Sequence, residues 1–113
     1  MKLSTREIEG ITVIELDGNV LGGPDATALN NEVHKLVEKR KKKIVLDLSH
    51  VQTMNSSGLG MLIAALTAVR NAGGDLLLAA ASKKIESLLV ITKLATVFEL
   101  FPSVKSAVTA FVK

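Results

Sequence analysis

Two adjacent serines, Ser56 and Ser57, are the side chains best placed to do chemistry. They sit between Asn55 and the glycines Gly58 and Gly60 in "TMNSSGLGMLIAAL", residues 53–66. A serine hydroxyl becomes a nucleophile only with a base within hydrogen-bond reach. The chain has two histidines. His34 falls inside a helical pattern and reads as a partly exposed helix residue. His50 follows "IVLDLS" and is the one base that could lie near Ser56. The glycine two positions before the serine of a nucleophile elbow is missing. With no cysteine, no histidine pair and no cluster of carboxylates, neither a thiolate site nor a metal site is expected. No catalytic residue and no cofactor is expected.

"NSSGLG" also stands where phosphate-binding loops stand, after a strand and at the opening of a helix. It fits neither G-x-G-x-x-G nor the P-loop pattern, and it has no lysine. Nucleotide binding stays open beside a plainer reading, in which the small residues allow a strand and a helix to pack closely. A third reading needs no catalytic apparatus: Ser56 is itself a substrate. A serine at a helix N-terminus turns its hydroxyl to solvent. A phosphate placed there meets free N–H groups and the positive end of the helix dipole. It changes the surface by roughly −2 charge without breaking the fold. Ser57, one step further into the helix, is expected to face inward and is the second choice.

The elements that must position these serines follow from periodicity. "KLSTREI" (2–8) and "EGITVIELDGNV" (9–20) predict a hairpin turning at Glu9 and Gly10. "GGPDATALNNEVHKLVEKRKK" (22–42) predicts a helix, with Pro24 in its first turn, Asp25 capping it or favouring its dipole, and Ala26, Leu29, Val33, Leu36 and Val37 as its apolar stripe. "KIVLDLS" (43–49) is a strand of the kind buried on both faces. The serine helix buries Leu59, Leu62, Ile63, Leu66 and Val69, and Gly73 and Gly74 end it. "DLLLAAA" (75–81) is a strand, Ser82 an N-cap, and Ile85, Leu88 and Leu89 mark a short helix. "TVFEL" (96–100) reads as the last strand. Pro102 opens a final helix with Val104, Ala107, Val108 and Phe111 inward. The order is β-β-α-β-α-β-α-β-α: one α/β domain, residues 1–113, with a mixed sheet in which the first hairpin alone is antiparallel.

Composition narrows the function. Hydrophobic residues are 48% of the 113, enough for a core, but aromatics are 3%, leaving little with which to stack nucleic-acid bases. No apolar run reaches the roughly 18 residues of a membrane span, and "MKLSTREIEG" has no signal-peptide core. A cytoplasmic protein, monomeric on its own, is expected, with no direct nucleic-acid partner and no membrane insertion. "EKRKKK" (38–43) reads as a solvated helix end, its cations complementing the dipole, and alternatively as a surface for an anionic partner. Lys83 and Lys84 read as the exposed first turn of a helix.

"KIVLDLSHVQTMNSSGLGMLIAAL" resembles the signature of the STAS domain, in the branch of bacterial anti-sigma factor antagonists. A strand ends in Asp47-Leu48-Ser49, a five-residue turn follows, and then comes Asn55-Ser56-Ser57-Gly58-Leu59-Gly60. The likeness extends to "ITVIELDGNV", "NAGGDLLLAAAS" and "LATVFELFPSVKSAV". It implies a protein that binds an anti-sigma factor which is also a serine kinase, and so releases a sigma factor. That kinase phosphorylates the first serine, here Ser56, which inactivates the antagonist, and a PP2C-type phosphatase reverses the step. It also implies a partner surface built from Leu21, Gly22, Gly23 and Asp25 together with Asn55, Ser56, Ser57, Gly58, Leu59 and Met61. Within the same fold, the alternative is a constitutive interaction subunit, for example of a lipid transporter. The chain departs from the family in two places: Asn55 stands where Asp is common, and the loop over 19–25 carries its acidic residue late, with one extra residue.

Overall fold

The computed structural model describes residues 1–112. The chain opens as a hairpin, β1 (Lys2–Ile8) and β2 (Ile11–Val20), with Ile8 opposite Ile11. The two residues between them, Glu9 and Gly10, both hold positive φ, as the tight turn of a twisted hairpin requires. Next come α1 (Pro24–Glu38), β3 (Lys43–Met54), α2 (Ser56–Asn71), β4 (Asp75–Ala79) and α3 (Lys83–Ile91). A 3-10 turn (Leu94–Thr96), the short β5 (Leu100–Phe101) and α4 (Val104–Val112) complete the chain. The five strands lie in sequence order in one sheet, β1 antiparallel to β2 and all other pairs parallel.

Alternation along the strands divides the core into two layers. Ile14, Leu16, Ile44, Leu46, Leu48, Leu76 and Leu78 point to one face, where they meet Leu29, Val33 and Leu36 of α1, Leu62, Leu66 and Val69 of α2, and Ile85 and Leu89 of α3. Ile11, Val13, Val45, Leu77 and Ala79 point to the other, under Ala107 and Val108 of α4. Helices on both faces explain why β3 and β4 read as continuous apolar runs.

Boundaries differ from expectation for visible reasons: the last helix, for one, begins at Val104 behind Ser103, whose hydroxyl accepts the Ser106 amide at 3.1 Å, rather than at Pro102. α1 stops at Glu38 instead of running through 42. The Lys41 amide bonds the Leu36 carbonyl and the Arg40 amide bonds the Val37 carbonyl, each at 2.9 Å. This is a Schellman closure with Arg40 at φ 62° in the place usually held by glycine. β3 does not yield to a turn after Ser49 but runs on to Met54, beside β2. A register shift between Glu15 and Asp17 absorbs an extra residue there, and Asp47 Oδ1 accepts the Ser49 amide at 3.0 Å. β4 ends at Ala79, because Ala80 turns to φ 60°. The strand expected over 96–100 is reduced to Leu100–Phe101: Phe98 leaves the sheet and is buried in the core under the 3-10 turn. Ser82 caps α3, its hydroxyl accepting from the Ile85 amide at 3.3 Å, and Lys83 and Lys84 are exposed, both as expected.

Candidate functional site

The serine pair begins where β3 ends. Asn55 is extended (φ −107°, ψ −176°), and its Oδ1 accepts from the Gly58 amide at 2.8 Å while its carbonyl accepts from the Leu59 amide at 2.9 Å. Two of the first four amides of α2 are thereby satisfied. Those of Ser56 and Ser57 meet no acceptor among the described residues. Both serines are exposed, and no acidic residue stands in the first turn. An anion at this end is favoured by free donors and dipole together. The expectation that Ser57 faces inward is corrected: it lies on the flank of α2, against the loop before α1.

That loop is fastened to α2. Gly22 and Gly23 hold φ 84° and 61°, and a Cβ built on Gly22 lies 2.6 Å from Ser57 Cβ. Glycine at 22 therefore meets two demands at once, a left-handed backbone and the closeness of Ser57. Gly58 makes a second close approach: its Cβ would lie 2.1 Å from the Val20 carbonyl oxygen, at the end of β2. Its smallness thus serves packing within the chain. Asn19 and Thr53 join the last residues of β2 and β3, Thr53 Oγ1 donating to Asn19 Oδ1 at 3.0 Å.

The residues expected to form a partner surface separate into two groups. Leu21, Gly23, Asn55, Ser56 and Ser57 are exposed, Leu21 at 48%, and Asp25 is half-buried, paired with the Met1 amino group at 3.6 Å. Gly22, Gly58, Leu59 and Met61 are buried. In this conformation they support the surface from beneath rather than forming it. Met61 also lines a cavity of about 280 Å³ between α1 and α2, along with Thr27, Asn30 and Ala64. The sequence pattern places Gly22 and Gly23 at the head of the first helix, whereas α1 starts at Pro24 and the two glycines form the loop before it; the Gly22–Ser57 contact has no local signal.

The histidines find other partners. His50 lies on β3, with Nδ1 3.3 Å from Ser49 Oγ and 3.4 Å from a Glu15 oxygen. Arg6 reaches Glu15 at 3.3 Å and the buried Asp47 at 3.7 Å, tying the hairpin to the bulge of β3. His34 is exposed on α1. Among the described residues no group of three or more His, Cys, Asp or Glu is arranged to hold a metal ion, and no helix is long and apolar enough to cross a membrane.

Comparison with known proteins agrees with this architecture. A Bordetella bronchiseptica protein assigned as an anti-sigma factor antagonist, BtrV, is 27% identical over 111 residues, covering 98% of this chain and 95% of its own length. A crystal structure assigned as an anti-sigma factor antagonist of Thermotoga maritima superposes with a TM-score of 0.88 at 20% identity, over 98% of this chain and 95% of that one. The Bacillus cell fate determinant SpoIIAA, solved in a phosphorylated form, has the same fold, with a TM-score of 0.74 at 13% identity over 97% of this chain and 99% of its own. The STAS domain family model matches residues 2–107, nearly the whole chain, and the protein belongs to the STAS domain family.

Proposed function

We propose that this chain is an anti-sigma factor antagonist that works by binding and is switched off by phosphorylation of Ser56. The observation that carries this reading is the start of α2: two exposed hydroxyls, two amides without acceptors, and no carboxylate in the first turn. Among the described residues no base makes a hydrogen bond to Ser56 or Ser57, and His50 is engaged with Ser49 and Glu15. The site suits a substrate of another enzyme better than a catalyst. The relatives named as anti-sigma factor antagonists support an anti-sigma factor as the partner; that it is also a serine kinase, with a PP2C-type phosphatase to reset the switch, rests on the resemblance of the serine motif. The action is cytoplasmic, where sigma factors act. Ser56 leads Ser57 as acceptor because Ser57 is hemmed in by Gly22.

The test is phosphorylation by the cognate anti-sigma kinase, comparing Ser56→Ala with Ser57→Ala. Label retained in Ser57→Ala and lost in Ser56→Ala is expected. Label that survives Ser56→Ala and disappears in Ser57→Ala reverses the assignment. Recovery of the unmodified protein in a stable complex with a membrane transporter, with no kinase binding, favours the constitutive subunit instead.

A further inference from the structure

The other end of β3 carries a feature that the serine switch does not use. Lys43 opens this strand and Asn55 follows its last residue, so the two lie at opposite ends of a molecule 31 Å in its longest dimension. Around Lys43 the closing turns of α1 and α2 meet the tip of the β1–β2 hairpin and line an open cavity of about 500 Å³, a volume in the range of small-ligand sites. Four consecutive cations, Arg40 to Lys43, line it, against one carboxylate, Asp75.

Most of these charges are already answered. Lys41 pairs with Glu7, and Asp75 pairs with Arg70 at 3.3 Å. Lys42 Nζ donates to the Ala72 carbonyl at 2.9 Å, which caps the negative end of α2. Arg40 and Lys43 have no ion-pair partner among the described residues. Two neighbouring helix closures also differ. α2 ends through Gly73 at φ 87°, the residue type that costs least in this conformation. α1 ends through Arg40 at φ 62°, where a side chain is strained, and the strain delivers a guanidinium to the cavity. Gly10 and Gly73 leave the walls low beside it, and Phe111 supplies one apolar wall.

We infer that this cavity is a binding site for a phosphate-bearing anion, with Arg40 and Lys43 as its charged ligands. Two unanswered cations match the two charges of a phosphate, and a guanidinium offers the forked donors that phosphate oxygens accept. The phosphate is that of a free small molecule or of a lipid headgroup, and the experiment separates the two.

Inorganic tripolyphosphate is titrated at low salt into the full-length, isotope-labelled protein, and amide shifts are followed by NMR. In parallel, the protein is floated with phosphatidylcholine vesicles containing phosphatidylglycerol. Two double variants are compared with the parent: Arg40→Gly with Lys43→Gln, and Lys83→Gln with Lys84→Gln as a charge-matched control elsewhere. A bound free phosphate moves the amides of Gly10, Gly73 and Gly74, and the first variant binds about tenfold more weakly or worse. Because glycine relieves the left-handed strain at position 40 and Lys43 is exposed, the Arg40→Gly/Lys43→Gln double variant melts no lower than the parent, so lost binding is not lost folding. Vesicle capture with the same dependence on Arg40 and Lys43, but no tripolyphosphate shifts, assigns the phosphate to a lipid. If neither probe binds, if the Lys83/Lys84 control loses as much, or if the shifts gather at Ser56 and Ser57, the site is refuted.

Discussion

Replacing Gly58 by alanine is a direct test of how the serine turn is built. Gly58 is buried in the first turn of α2, with its amide held by Asn55. The added methyl would lie 2.1 Å from the Val20 carbonyl oxygen and 2.9 Å from both the Val20 carbonyl carbon and Met54 Cγ. Ordinary carbon–oxygen contacts begin near about 3.3 Å, so the end of β2 must recede by roughly 1 Å. At an open helix site Gly→Ala gains about 0.5–1 kcal/mol. Overpacking costs about 1–3 kcal/mol. The obstructing atom here is backbone, at a strand end paired with Met54 of β3 and accepting the Asn55 amide, so the upper part of that range applies and the net loss is about 2 kcal/mol. For a domain of this length that lowers the melting temperature by roughly 8 °C. Gly60 is the internal control: it lies in the same helix, is exposed, and its added Cβ meets nothing within 4 Å. Gly60→Ala is expected to raise stability by about 0.5–1 kcal/mol. Thermal and denaturant unfolding of both variants decides the matter. Equal melting temperatures for the two alanine variants would refute the close approach of α2 to β2.

Other perturbations act on the same turn. Asn55→Ala removes the cap that holds the Gly58 amide and is expected to cost about 1 kcal/mol, read as a lowered denaturant midpoint. Gly22→Ala strains a left-handed backbone and strikes Ser57, so it lowers the melting temperature. Adding Ser57→Gly should restore part of the loss in a double-mutant cycle, whereas strict additivity would mean that the two residues do not touch. Ser56→Asp places a carboxylate at the free amides and should leave stability equal or higher by about 0.3–1 kcal/mol while weakening partner binding. Early melting of that variant would mean that any lost binding reflects a damaged fold.

What could be read along the chain was what local chemistry decides. Glu9-Gly10 announces a two-residue hairpin turn, and Ser82 caps the helix that follows it. The alternation of apolar strands and amphipathic helices leads to the parallel sheet. Asn55 serves as a cap although the family commonly has Asp there, because either side chain accepts the N3 amide. The departures from expectation share one cause, partners distant in sequence. β3 outruns its apolar core because β2 supplies a mate for His50 to Met54 and Asp47 stabilises the bulge between them. "TVFEL" alternates like a strand, yet Phe98 gains more by entering the main core than by continuing β5. Ser57 stays exposed on the flank of α2, and the residue that packs beside it, Gly22, arrives from 35 positions away. Arg40 escaped notice as a helix stop because glycine is the residue expected there.

The construction of the turn bears on how the proposed switch would act. Gly22 rests on Ser57, Gly58 on Val20, and Asn55 on the Gly58 amide, so the loop before α1, the end of β2 and the start of α2 form one clamped unit. A phosphate on Ser56, as proposed, would find two free amides within that unit and no carboxylate on the first turn to repel it. Asn55, being neutral, adds no repulsion of its own. Nothing in this arrangement gives the phosphate reason to unfold its surroundings. On the proposed reading the change would fall instead on a partner that covers Ser56 and the exposed Leu21. Such a partner must strip water from a group carrying about −1.5 to −2 charges, at several kcal/mol when no cation answers it. Each 1.4 kcal/mol is a factor of ten in affinity, so desolvation alone is enough to weaken a complex by about a hundredfold or more. On this account release needs no rearrangement of the antagonist, and phosphorylated and unphosphorylated chains share one backbone around Asn55–Leu59.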